Sequence, residues 1–161
     1  MGLLITKGMK VWIIDRLNSN EVVEVKRVTA VNFGTSPADD IDTTDLEATI
    51  SRTFEKGLKS PSAATLSIMY DTAADSHAVI KALEEHQDTN STMIAIGAAD
   101  GAGEPSVDSS GNFNFPTTRT FMAISGFVSD FPVDIQISST VPVPCSIRRT
   151  SGLAISRKQA A

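Results

Sequence analysis

EVVEVKRVTAVNF, residues 21–33, is the stretch on which the fold turns. Val23, Val25, Val28 and Val31 interleave with Glu24, Lys26, Arg27 and Thr29, and a period near two marks a strand with one face toward a core. The alternation slips once, near Arg27. That predicts a long, half-exposed strand carrying a bulge at the slip.

Working outward, MKVWIID at 9–15 is short and rich in Val, Ile and Trp, and reads as a strand ended by the Asn18, Ser19, Asn20 turn. Downstream, GTSPADDIDTTDLE at 34–47 combines Pro37 with five acidic residues and reads as an exposed loop. Weak alternation in ATISRTF, 48–54, predicts a polar strand, and GLKSPSA, 57–63, predicts a turn. ATLSIMY, 64–70, is a better strand with Leu66, Ile68 and Tyr70 on one face.

Between residues 75 and 87 the period becomes helical. Asp75 or Ser76 is placed to cap, Val79, Ile80 and Leu83 form an apolar stripe, and Lys81, Glu84 and Glu85 face water. TMIAI, 92–96, is a short apolar strand, followed by a Gly-, Ser- and Asp-rich loop over 97–116, expected to be mobile or ordered by a partner. TFMAISGFVSDF, 120–131, and IQISSTVPVPCSI, 135–147, close the pattern as strands. Pro142 and Pro144 remove two ladder donors, which predicts an edge strand or a break there. The expected architecture is mainly β: a β-sandwich or barrel of about six to eight strands with one packed α-helix. It forms one domain over residues 1–161, with a core at about 7–152 and a flexible tail at 153–161.

Composition bounds the function. The chain has 161 residues, 41% hydrophobic and 20% charged, enough for one core without disulfides or metal. The start, MGLLITKGMK, has no long apolar segment or cleavage site, so neither secretion nor a membrane association is expected. Net charge is −5, which argues against gripping nucleic acid through its phosphates. The lone Cys145, in VPVPCSI, reads as a small apolar residue.

Searches for chemistry come back empty. His77 and His86 are nine positions apart on the expected helix, about two and a half turns, so they face opposite ways and share no metal or acid-base pair. Both are expected to face solvent. The DDIDTTD run lacks the glycine and distal glutamate of a calcium loop, GAADGAG at 97–103 lacks the Lys-Ser/Thr of a phosphate loop, and no serine-nucleophile elbow is present. No catalytic residue, metal or cofactor is expected, and the protein is read as a non-enzyme.

Three features in order resemble the tail tube proteins of long-tailed bacteriophages, the siphophage major tail tube family. They are the Val-rich strand running through IDTTDLEAT into FEKGLKSPSA, the strand, helix, strand unit ATLSIMYDTAADSHAVIKALEEHQDTNSTMIAI, and the closing pair TFMAISGFVSDFPVDIQISSTVPVPCSIRRTSG. The resemblance spans about residues 7–152. It implies a structural virion protein of the phage tail, made in the host cytoplasm, that forms hexameric rings stacked into a hollow tube. Long hairpins from neighbouring subunits would line the lumen as one barrel, and phage DNA would pass through it without specific binding during genome ejection. A tape measure protein and a tail terminator are the implied partners. No second immunoglobulin-like domain is expected after Gly152, unlike in longer family members.

The hairpin region, residues 22–54, is longer than a compact subunit needs, and open edges of that kind can be closed by neighbouring chains. Its acidic residues Asp39, Asp40, Asp42, Asp45 and Glu47 are candidates for the lumen or for contacts between rings. Repeated around a ring they would repel phosphate even at a Debye length of about 8 Å. Lys56, Lys59, Arg148 and Arg149 are the candidate basic contacts between subunits. A tail terminator, connector or other ring-forming tube protein shares these features. A ligand-binding β-sandwich is disfavoured because only Trp12 and Tyr70 could stack on a sugar.

Overall fold

A computed structural model describes residues 3–47, 49–86, 92–137 and 139–160. Among them the chain forms twelve strands and one helix. In order these are β1 (Lys10–Asp15), β2 (Glu21–Val25), β3 (Val28–Asn32), β4 (Ala38–Asp42), β5 (Phe54–Lys59), β6 (Ala64–Met69), α1 (Asp75–Glu85), β7 (Thr92–Gly97), β8 (Ser106–Val107), β9 (Phe113–Asn114), β10 (Phe121–Asp130), β11 (Pro142–Arg149) and β12 (Ala154–Ser156). The mainly β class with one packed helix agrees with the sequence reading.

Eight strands form the main sheet, in the order β2-β1-β7-β10-β11-β6-β3, with β12 added on β10. The pairs are antiparallel. The two ends of that path, β2 and β3, are neighbours in sequence, separated by Lys26 and Arg27 alone. A sheet whose opposite edges are joined by two residues has to curl toward closure as a barrel. The expected single strand over 21–33 is therefore two strands on opposite edges, and the slip near Arg27 is a corner, with Arg27 at φ 54°.

The corner's backbone groups leave the ladder, so they need partners elsewhere. The first turn of α1 supplies them. The Lys26 N–H donates to Ser76 Oγ at 3.2 Å, and the Lys26 carbonyl accepts from His77 Nε2 at 2.7 Å. His77 Nδ1 in turn accepts from the Asp71 N–H at 3.0 Å, so its partners fix the tautomer with the proton on Nε2. Arg27 is held by the Met69 N–H on its carbonyl, at 3.0 Å, and by Asp71 on its guanidinium, at 2.8 Å. His77 is fully buried, against the expectation of a solvent-facing histidine. Ser76, read as a possible cap, is also buried and bonds the corner. The cap position is Ala74, with no side-chain cap bond. The expected helix end at Gln87 lies outside the described residues.

Both faces of the sheet are covered. Val11 and Ile13 of β1 join the larger cluster with Leu66, Ile68, Ile94 and Ile124, and Ile80 of α1 packs on it. The alternate residues Trp12 and Ile14 join a second cluster with Phe113 and Phe121. The segment between β7 and β10 is thus a lid over the second face. Phe113, Phe115 and Phe121 stack successively at 5.3 and 4.7 Å, and Asp108 Oδ1 accepts two backbone N–H groups of the lid, from Ser110 and Asn112.

β11 departs from expectation in position. It sits between β10 and β6 despite two prolines. The Val141 carbonyl accepts from Tyr70 beside β6, and the Ser146 carbonyl accepts from Ser129 on β10, so even-numbered residues of β11 point their backbone toward β10. Pairing with β10 stops at Ser146 opposite Asp130. Pro142 and Pro144 therefore lack their N–H where there is no strand to receive it.

Replacing His77 by Ala leaves the Lys26 carbonyl and the Asp71 N–H without partners in a buried site. Urea unfolding of His77→Ala is expected to show a loss of roughly 2–5 kcal/mol.

Candidate assembly interface

Beyond Asn32 and before Ala64 the β3–β6 pair continues as an arm. Ser62 donates to the Thr35 carbonyl at 2.8 Å and Ser60 to the Pro37 carbonyl at 2.9 Å, then β4 pairs β5 from Ala38↔Lys59 to Asp42↔Phe54. The Thr43 N–H donates to Thr53 at 2.9 Å. The loop expected over 34–47 thus contains strand β4, and the expected turn over 57–63 contains part of β5. Pairing propagated from β3 and β6 overrides the poor strand propensity of Asp, Gly and Lys. The strand expected over 48–54 reduces to its last residue, Phe54, and Ala48 lies outside the described residues. The register shifts between Ala38 and Asp40, and Gly57 lies against the shift: a Cβ there would stand 2.9 Å from the Asp39 carbonyl oxygen.

The arm's root is clamped. Arg149 Nη1 donates to the Phe33 carbonyl at 2.6 Å and Nη2 to Ser36 Oγ at 2.9 Å and the Ser151 carbonyl at 3.2 Å. Arg149, expected as a basic contact between subunits, is 5% exposed and has these donors engaged inside its own subunit. It sets the direction in which the arm leaves the barrel. The signal that separates it from its neighbour Arg148 is the alternation of Val143, Cys145 and Ile147 along β11, which puts Arg149 on the buried face and leaves Arg148 exposed.

All five candidate carboxylates lie on the arm and are exposed: Asp39, Asp40 and Asp42 on β4, Asp45 and Glu47 in the tip. Lys56 sits opposite Asp40 and Lys59 opposite Ala38, so both lysines share the ribbon with the carboxylates. Asp42 accepts from the Thr44 N–H at 2.9 Å, and hydrogen bonds from the Thr44 side chain and backbone hold its carboxyl below the usual range. The apolar side chains of the arm point into solvent, with Leu46 and Ile50 at 105% and 97% exposure and Leu58 at 85%. A two-stranded ribbon without a third strand or an apolar support is marginal in water, and among the described residues its outer edges have no partner strand.

The remaining candidates for chemistry are built into the structure. Trp12 lies under the Arg119 guanidinium, 5.3 Å from its ring centroid, and is 2% exposed. Tyr70 packs on His77 and Phe131. The glycine-rich 97–103 segment turns carbonyls, those of Gly97, Ala98 and Gly103, toward Arg119, the reverse of a phosphate cradle. Among the described residues no cluster of three or more His, Cys, Asp or Glu could hold a metal ion, and no helix is long and apolar enough to cross a membrane.

A curled sheet with a buried interior carries a bare-edged, acidic arm whose strand edges are open to further strands. The family described as "Phage tail tube, TTP, lambda-like" matches residues 2–159, and the chain belongs to it. It is therefore a structural, non-enzymatic component of a phage tail. Two solved structures share the fold at very low identity. One is a chain of the anti-feeding prophage baseplate, with TM-score 0.67, 6% identity, and 99% of each chain covered. The other is the SPP1 tail tube, with TM-score 0.65, 7% identity, 96% of this chain covered and 80% of that one. No curated protein sequence matches the chain.

Cys145 is fully buried in the larger cluster, and burial pushes its thiol up to about 12. Iodoacetamide at pH 8 is expected to leave the folded protein unlabelled and to label it fully in denaturant, since only the thiolate reacts.

Proposed function

We propose that this chain is the repeating subunit of a siphophage tail tube, folding as one domain and assembling into hexameric rings that stack around a lumen. The observation that carries this is the arm. It holds exposed apolar side chains and unpaired strand edges that further strands can cover.

In this reading the arms of neighbouring copies pair edge to edge into a continuous barrel. Asp39, Asp40, Asp42, Asp45 and Glu47 then supply a negative surface, inside the lumen or between rings, and Lys56, Lys59 and Arg148 are the cations that neighbouring copies meet. A negative wall repels DNA phosphate, so the genome slides through during ejection. A tape measure protein inside the growing tube and a terminator at its end complete the partners, with assembly in the host cytoplasm before the tail joins the virion.

Negative-stain microscopy of the purified chain across a concentration series tests this directly. Rings and stacked tubes are expected. A chain that stays monomeric in every condition, and a tail particle holding a single ring's worth of copies, would each count against it. Replacing Leu46 and Ile50 by Ser is expected to change the isolated subunit's stability by no more than about 0.5 kcal/mol, because both are exposed, while sharply reducing tube yield.

A further inference from the structure

At the corner where β2 and β3 diverge lies a groove of about 430 Å³. Met9, Val11, Val25, Val31 and Ile96 line it with apolar surface, and the outer edge of β3 flanks it without a partner strand. A cavity of about 150 Å³ holds a benzene ring, so this groove has room for two or three aliphatic side chains.

Its rim is basic. Lys10, Lys26 and Arg27 are exposed, and they face two carboxylates. Lys10 and Lys26 share Glu24, at 3.7 and 3.0 Å, while Arg27 holds Asp71. Three cations against two carboxylates leave one positive charge in excess.

The arm tip has the opposite character. DTTDLE, residues 42–47, carries Asp42, Asp45 and Glu47 with no cation, and presents Leu46 fully to solvent. The groove runs along β3 from Val28 to Val31, and the arm leaves from the Asn32 end of the same strand, so its tip stands away from the groove of its own subunit. At about 3.3 Å per residue, positions 34–43 reach roughly 30 Å beyond the barrel.

We propose that the acidic, apolar arm tip of one copy docks in the basic-rimmed corner groove of a copy in the adjoining ring. Leu46 enters the apolar floor, and Asp42, Asp45 and Glu47 meet Lys10, Lys26 and Arg27. Because tip and groove are different surfaces, the contact is head-to-tail and propagates instead of closing on a pair. The proposal rests on the stacked-ring reading above and assigns its axial contact.

Cysteine cross-linking tests it. Leu46→Cys is combined with Ala30→Cys, which lines the groove, and the buried Cys145 is left in place. Tubes assembled under reduction and then mildly oxidised should give a disulfide ladder longer than one ring holds, with no ladder from either single variant. Intact tubes without a ladder would overturn the docking and leave the tube reading standing. So would a ladder from Leu4→Cys with Ala30→Cys, which would give the groove to the exposed N-terminal segment. A wild-type chain that forms no rings would remove both readings together. Independently, Lys10→Glu with Lys26→Glu should shorten tubes by about tenfold or more, and adding Asp42→Lys with Asp45→Lys should restore them. Failure of that rescue in folded protein also counts against the docking.

Discussion

Everything in this subunit depends on one two-residue corner. Lys26 and Arg27 join the two edges of the main sheet, and a corner that short is tolerable only because the first turn of α1 receives its backbone groups. His77 and Ser76 act on both sides of a single peptide residue, Lys26, and Asp71 ties the same turn to Arg27. Remove that support and the barrel has an open seam with unsatisfied donors and acceptors. The helix therefore serves as the fastening of the closure, and its apolar stripe through Ile80 is secondary to that role.

Much of the fold was legible because periodicity survives where burial is one-sided or complete. The cores of β1, β6, β7 and β10 read as strands from Val, Ile and alternating side chains alone, and so did the helix. The corner was half legible: the slip at Arg27 was visible, but alternation does not say whether a chain bulges or turns a corner onto the other edge of its sheet. His77 was misplaced because a polar residue on a helix is usually wet, and only tertiary contacts reveal a buried backbone pair waiting for it. The glycines and serines of the lid between β7 and β10 read as a loop that is mobile or ordered by a partner, and the lid is ordered by its own subunit. The signal that could have corrected this was present in Phe113 and Phe115, two aromatics in a loop that nothing in a loop requires.

The candidate site was legible in composition and less so in conformation. The acidic stretch was correctly taken as exposed, yet β4 and β5 escaped notice because a ribbon solvated on both faces has no hydrophobic period to show. Arg148 and Arg149 differ only in the face of β11 they occupy, so one is available to a neighbour and the other holds the arm's root. The prolines of β11 point to an edge or a break, and they do mark an edge: the short half, unpaired toward β10, of a strand that is otherwise interior.

The bare ribbon has a kinetic consequence. Ordering a backbone residue costs about 1–2 kcal/mol, and an arm with solvent on both faces recovers little of that within its own subunit. In the proposed arm-to-arm pairing, copies that meet singly would gain one edge and still leave the other open, so the first contacts would be weak and the gain would come only when several arms lie side by side. Growth governed in this way would have a threshold concentration and a lag, and would start fastest on a surface that already presents ordered edges.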